Sequence, residues 1–184
     1  MPYYDYSKSG MYFVTMCVRE MRCVLGHVDD GKTRLSSIGK IIEEDWQLTP
    51  KIRPNVKLDD WVIMPNHIHG IIVITHGIVG RNRYTDETGR DNNRFGPQSN
   101  HLPAIVRGFQ SAAARRVHEN GYHDFAWHSR IHDHIIRNEQ DLLRIRAYIR
   151  DNQVKWHEDL YYRPNEGKMV TDTNFPNFQV KHRI

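Results

Sequence analysis

Two histidines one residue apart, His67 and His69, sit in the stretch Met64-Pro65-Asn66-His67-Ile68-His69-Gly70, ahead of the apolar run Ile71-Ile72-Val73-Ile74. The β-branched residues after the pair mark a strand. Pro65-Asn66 before it marks a tight turn, because proline fixes φ and asparagine tolerates turn geometry. Side chains alternate faces along a strand, so both imidazoles point the same way, about 7 Å apart along the chain. Two imidazoles on one face can bind one metal ion. The pair also reads as two surface histidines, or as part of a structural zinc site. Against zinc, no cysteine or third histidine has convincing ligand spacing, which leaves His76, His132 and His134 as remaining candidates.

A second set of reactive side chains lies in the last helical stretch, from Glu139 to Asn152. At 100° per residue, Leu142, Ile145 and Ile149 form its buried stripe. Tyr148 falls about 100° from the centre of that stripe, and Asn152 follows on the same side one turn later. A tyrosine at the edge of a buried face is ordinarily a packing residue with its hydroxyl in water. Tyr148 and Asn152 acquire a chemical meaning only if that edge faces His67 and His69.

The elements that must bring the two sets together can be read in order. Tyr12 to Val18 is rich in β-formers and reads as a strand buried on both faces. Asp30-Gly31 is a hairpin signal and predicts a small β-ribbon between Cys23 and Leu35. Ser36 or Ser37 caps a helix with Ile38, Ile41, Ile42 and Trp46 at helical spacing, and Pro50 is expected to stop it. Val56 to Met64 reads as a strand paired with the histidine strand through the Pro65-Asn66 turn. Leu102, Ile105, Val106, Phe109, Ala113 and Val117 follow the amphipathic pattern of a helix over 102–119. Ile131 to Ile136 reads as a short strand. The order β-α-β-β-α-β, with a further C-terminal helix, predicts an α+β, ferredoxin-like antiparallel sheet with helices on one face. Residues 1–157 are expected to form one domain, and 158–184 an irregular tail.

Composition narrows the function classes. The chain has 184 residues, enough for one domain with a proper core, and 39% hydrophobic residues. No apolar run approaches the ~18 residues of a membrane helix. The opening Met1-Pro2-Tyr3-Tyr4 lacks the basic, apolar, small-residue order of a signal peptide, and Cys17 and Cys23 read as reduced thiols. A cytosolic location is therefore expected. The net charge of +4 is compatible with nucleic-acid binding but does not require it. Gly77 to Asn100 shows no period of either kind and carries Arg81, Arg83, Arg90 and Arg94. It reads as a phosphate-contacting arm or as a solvated loop.

Several separate blocks then resemble, in the right order, the REP-associated tyrosine transposases, a branch of the HUH single-strand DNA transposases (IS200-like). They are Phe13-Val14-Thr15, Ile52-Arg53-Pro54-Asn55-Val56, Val62 to Ile72 with its His-Ile-His, and Phe95-Gly96-Pro97-Gln98-Ser99. They continue through Ile105-Val106-Arg107-Gly108-Phe109 and His132 to Arg137, then Tyr148-Ile149, Asn152 and Trp156. One departure is Gln153, where relatives often have proline. Proline would break the helix there, so the helix is expected to run further in this chain.

The resemblance implies that His67 and His69 are metal ligands, Asn152 the third ligand and Tyr148 the nucleophile. It implies Mg²⁺ or Mn²⁺ as cofactor, since two imidazoles and an amide oxygen suit either. The implied substrate is single-stranded DNA beside a hairpin-forming palindromic repeat, cut and rejoined through a covalent 5′-phosphotyrosine. Arg107, Ser111, Arg115, Arg81 and Arg83 are candidates for DNA contacts, and Trp127, Tyr122 and Phe125 for base stacking. For any one of these aromatic residues, packing around a turn is the commoner reading. Both monomer and homodimer are compatible with the resemblance. Two other readings stay open at this point. One is a catalytically silent hairpin-binding protein, and the other a metal phosphodiesterase that uses water as nucleophile.

Overall fold

A computed structural model describes residues 9–75 and 101–163. The Arg-rich stretch with Arg81 and Arg83, His76, and the chain beyond residue 163 lie outside the described residues.

The sheet is built from β1 (Gly10–Val18), β4 (Val56–Ile63), β5 (His67–Ile74) and β6 (Trp127–Ile136), in the order β4-β5-β1-β6. All three pairings are antiparallel. With α1 (Ser37–Ile52) between β1 and β4, and α2 (Leu102–Glu119) between β5 and β6, this is the ferredoxin-like arrangement. A small ribbon of β2 (Gly26–Asp29) and β3 (Lys32–Leu35) turns at Asp30 and Gly31, both with positive φ, as a two-residue hairpin requires. The last helix is α3 (Glu139–Asp151). Among the described residues, no helix is long and apolar enough to cross a membrane.

The two faces of the sheet are covered differently. Tyr12, Val14, Met16, Ile68 and Ile72 point to one face and pack against Ile42 and Trp46 of α1 and Ile105, Phe109 and Ala113 of α2. Ile71, Val62 and Ile136 point to the other and pack against Ile145 and Ile149 of α3 and Trp156. Side-chain alternation puts His67 and His69 on the α3 face, in phase with Ile71. Directly after His69, Gly70 faces α1, where an added Cβ would lie 2.7 Å from Trp46 Cζ2. Glycine is therefore what lets the indole sit against the back of the histidine strand.

Three boundaries differ from the sequence reading. α1 continues through Pro50 to Ile52. Proline in the last turn forfeits only one intrahelical hydrogen bond, and the Arg53 N–H still reaches Thr49 O at 2.9 Å. β6 begins at Trp127, four residues earlier than the apolar run suggested, because Val18 pairs with Trp127 across an irregular register. Without a proline at 153, α3 nonetheless ends at Asp151, and Asn152 is its C-cap, still at right-handed helical φ/ψ.

Candidate active site

The turn before the histidines is buried and tied down on several sides. The Val18 N–H donates to Asn66 O at 2.8 Å, Leu25 N–H to Pro65 O at 2.9 Å, and Met64 N–H to His67 O at 2.8 Å. From this turn His67 and His69 project side by side, 0% and 1% exposed, with their Nε2 atoms 2.9 Å apart. Each ring is held from behind. His67 Nδ1 lies 2.8 Å from Asn66 Oδ1, and His69 Nδ1 lies 2.8 Å from Thr15 Oγ1. Thr15 is the register partner of His69 on β1, which places its hydroxyl there. The Tyr161 ring lies over His67 at 4.9 Å between centroids, and Phe13 stacks on His69 at 5.3 Å.

α3 docks with the predicted edge toward this pair. β4 carries one extra residue at Asp59-Asp60, between the pairs Leu58–Ile72 and Trp61–Gly70. Both carboxylates of this bulge reach α3: Asp59 binds Arg146, and Asp60 lies 2.7 Å from Arg150 Nε. Ile145 and Ile149 fill the space beneath. Tyr148, 42% exposed, then places its hydroxyl 3.1 Å from His69 Nε2 and 3.3 Å from Asp159 Oδ2.

Asn152 is 4% exposed and donates through Nδ2 to Asp159 Oδ2 at 2.8 Å. Its Oδ1 is buried and accepts no hydrogen bond among the described residues. A buried amide oxygen without a donor is costly unless a cation or water completes it. His67, His69 and Asp159 offer three ligand atoms within 4.8 Å of one another. Two nitrogens sharing one ion at ~2.1 Å lie about 3 Å apart when cis, close to the spacing of the two Nε2 atoms. The residues present therefore fit a divalent cation, with two imidazoles and a carboxylate close together and Asn152, whose amide oxygen is orphaned, hydrogen-bonded to that carboxylate.

Electrostatics follow from burial and from Asp159. Burial, together with the neighbouring His69, keeps the His67 imidazole well below its ordinary value of 6.5. Burial also lowers His69, and Asp159 opposes that shift. Tyr148 is pushed up to about 12, first by burial and then by the Asp159 charge. Burial would raise Asp159 too, but His69, the Tyr161 N–H at 2.6 Å and the Asn152 amide outweigh it and hold the carboxyl below its usual range.

Asp159 and Tyr161 belong to the stretch that the sequence reading assigned to an irregular tail, yet both lie in the site. Carboxylate and tyrosine positions in an aperiodic segment carry no spacing signal. Thr15 could have been found from strand alternation, since it shares a face with Phe13. His132 and His134 stay out of the metal-type cluster. They line a cavity of about 380 Å³ beside Tyr148, with Phe13, Arg144 and Leu160, and His134 pairs with Asp141 at 2.7 Å.

Among the described residues, the expected DNA-contacting side chains are not brought to this site. Arg107, Ser111 and Arg115 are exposed on α2, in the layer on the other side of the sheet. Trp127 is half-buried, packs against Phe125 and Phe109 and donates from Nε1 to Gln110 O at 3.1 Å. Phe125 is 1% exposed and is a core residue, because the turn after α2 folds back onto the sheet. Phe125 therefore has no free face for a base.

No protein-family model matches the chain. It is 30% identical over 162 residues to an uncharacterised protein of Haemophilus influenzae, covering 88% of this chain and 90% of that one. Among solved structures it is similar to a REP-associated tyrosine transposase bound to a REP hairpin, with a TM-score of 0.51 and 21% identity. That similarity covers 97% of this chain and 98% of the other.

Proposed function

Because the chain belongs to one family with the Haemophilus influenzae protein and has the fold of the REP-associated tyrosine transposases, we propose that it is a metal-dependent transposase that nicks and rejoins single-stranded DNA beside hairpin-forming repeats. The observation that carries this reading is the approach of Tyr148 Oη to within 3.1 Å of His69 Nε2, across 79 residues of sequence. It joins a candidate nucleophile to a candidate metal centre.

In this reading His67, His69 and Asn152, with Asp159 beside them, hold the ion. A bound Mg²⁺ or Mn²⁺ supplies Lewis-acid polarisation of the scissile phosphate. With His69 Nε2 directed at an ion, Asp159 Oδ2 at 3.3 Å would be the acceptor for the Tyr148 hydroxyl. Asp159 thus orients the phenol, while its charge raises the phenol pKa, so departure of the proton relies on the positive charge a bound ion would supply. Tyr148 Oη bonds to phosphorus, the bond to the 3′ oxygen breaks, and that oxygen leaves as a 3′-hydroxyl after taking a proton. The 5′-phosphotyrosine keeps the bond energy for rejoining. DNA contacts from Arg107, Ser111 and Arg115 require a strand or hairpin that wraps to the α2 side. Arg81 and Arg83 are proposed as further phosphate contacts.

The test is incubation of the purified protein with end-labelled hairpin DNA and Mg²⁺ or Mn²⁺. A covalent adduct that vanishes in Tyr148→Phe supports the proposal. Cleavage that persists in Tyr148→Phe points to water as nucleophile, and binding without cleavage at any metal concentration leaves only a hairpin-binding protein.

A further inference from the structure

The two histidines are held from behind by partners of different kinds. Thr15 has a hydroxyl, which donates or accepts by rotation, so it suits either tautomer of His69. Asn66 has no such freedom. Its Nδ2 donates to Met21 O at 3.1 Å and to Tyr161 O at 2.8 Å, and both partners are backbone carbonyls, which accept only. The amide orientation is therefore fixed by its donors, and the atom facing His67 Nδ1 at 2.8 Å is the carbonyl Oδ1. An oxygen that can only accept requires His67 Nδ1 to carry the proton. In the neutral ring that leaves Nε2 as a bare lone pair, aimed at His69.

The surroundings of Asn66 are costly to build. It is a fully buried residue at the tip of a turn, where turns usually meet solvent. The carbonyl that receives its amide comes from Met21, which with Glu20 has a left-handed backbone at φ of 53° and 60°. Two consecutive non-glycine residues in that region are strained, and such strain concentrates where function over-determines the backbone. Tyr161, the other acceptor, belongs to the segment whose ring covers His67.

We infer that Asn66 is a positioning residue that selects the tautomer of His67, making its Nε2 a permanent ligand lone pair, while His69 changes tautomer through Thr15. Without an ion, His69 carries its proton on Nε2 and donates it to His67 Nε2 across the 2.9 Å contact. When an ion enters, that proton moves to Nδ1 and the Thr15 hydroxyl turns to accept it. The inference rests on the metal-site reading above for its purpose, and on the donor geometry for its substance.

Two variants separate the acceptor from the donors of Asn66. Asn66→Asp keeps an oxygen toward His67 and loses both donors. Asn66→Leu keeps the volume and loses everything polar. Histidine-labelled protein is read by ¹⁵N NMR without metal and with Mg²⁺, and Mn²⁺ affinity by electron paramagnetic resonance without DNA. We expect wild-type His67 to be Nδ1-protonated in both states and His69 to change from Nε2–H to Nδ1–H on Mg²⁺ addition. Asn66→Leu should mix the His67 tautomers and weaken Mn²⁺ binding roughly 10- to 100-fold, the usual loss for an outer partner of a ligand histidine. Asn66→Asp should keep the His67 tautomer. If Asn66→Asp loses it as fully as Asn66→Leu, or Asn66→Leu retains it, the inference is overturned. Should Asn66→Leu fail to fold, the wild-type spectra decide: an Nε2-protonated His67 overturns it. A wild-type protein that shows the His67 tautomer but binds no Mn²⁺ would sink the metal reading and leave the tautomer assignment standing.

Discussion

Arg146 on α3 grips Asp59 on β4 with two parallel hydrogen bonds, Nε to Oδ1 at 2.8 Å and Nη2 to Oδ2 at 2.6 Å. Forked pairing of this kind fixes direction as well as distance. The carboxyl of Asp59 is lowered accordingly, chiefly by the Arg146 hydrogen bonds. Two residues later on the same helix comes Tyr148. Without the extra residue of the bulge, Asp59 and Asp60 could not both face α3. We expect Asp59→Ala to shift the Tyr148 edge and lower the rate of covalent adduct formation roughly 10- to 100-fold, in line with the sensitivity of such reactions to misplacement of about 1 Å. Hairpin affinity should change far less. Gel quantification of adduct against a binding isotherm checks the split, and an unchanged adduct rate would show that packing alone seats α3.

Stability should fall on mild acidification when no metal is present. His67 and His69 are both kept below 6.5 by burial in the folded chain, whereas the unfolded chain protonates them near that value. Below it the unfolded state binds more protons, so folding loses free energy as pH drops, by up to about 1.4 kcal/mol per pH unit for each histidine. For a chain of this size that is roughly 2–4 °C per kcal/mol. Melting curves at pH 7.5 and 5.5 should show the drop in wild type and a smaller one in His67→Gln.

The phenol offers an independent readout of Asp159. The Tyr148 hydroxyl is raised to about 12. A raised phenol favours the folded state up to the ordinary value near 10 and ceases to do so as pH climbs through 12. Removing the Asp159 charge takes away one of the two main causes of the rise. Asp159→Asn should therefore bring Tyr148 closer to 10, seen by ¹³C NMR of labelled tyrosine in alkaline titration. No change would mean that burial alone accounts for the shift.

Metal binding should stabilise the free protein. An ion bound only by the folded chain adds about 2.7 kcal/mol at 100 times its dissociation constant. We expect Mn²⁺ to raise the melting temperature of wild type and not of His69→Ala, with Asn152→Ala and Asp159→Asn intermediate. If Asn152→Ala responds like wild type, its buried Oδ1 faces water instead of an ion.

Much of this was legible in the sequence, and the exceptions have physical causes. Alternation placed His67 and His69 on one face, and the 3.6-residue period put Tyr148 and Asn152 on one edge. Neither pattern says which layer α3 joins. That depends on Asp59 and Asp60, two acidic residues within the strand Val56 to Met64, and on a bulge with no sequence signature. Asp159 and Tyr161 were hidden because they follow the last periodic element. Phe125 and Trp127 could not be assigned because an aromatic near a turn looks the same in sequence whether it stacks on a base or packs on a neighbouring ring.

The contact between Gly70 and Trp46 ties the histidine strand to residues that take no part in its chemistry. Positions 46 and 70 share one volume, since a methyl group at position 70 would lie 2.7 Å from Trp46 Cζ2 and must displace the indole. Relatives with a larger residue than glycine between strand and helix should carry a smaller one than tryptophan opposite it. Covariation at these two positions would then trace the evolution of the site through its back wall, at residues outside the metal-type cluster.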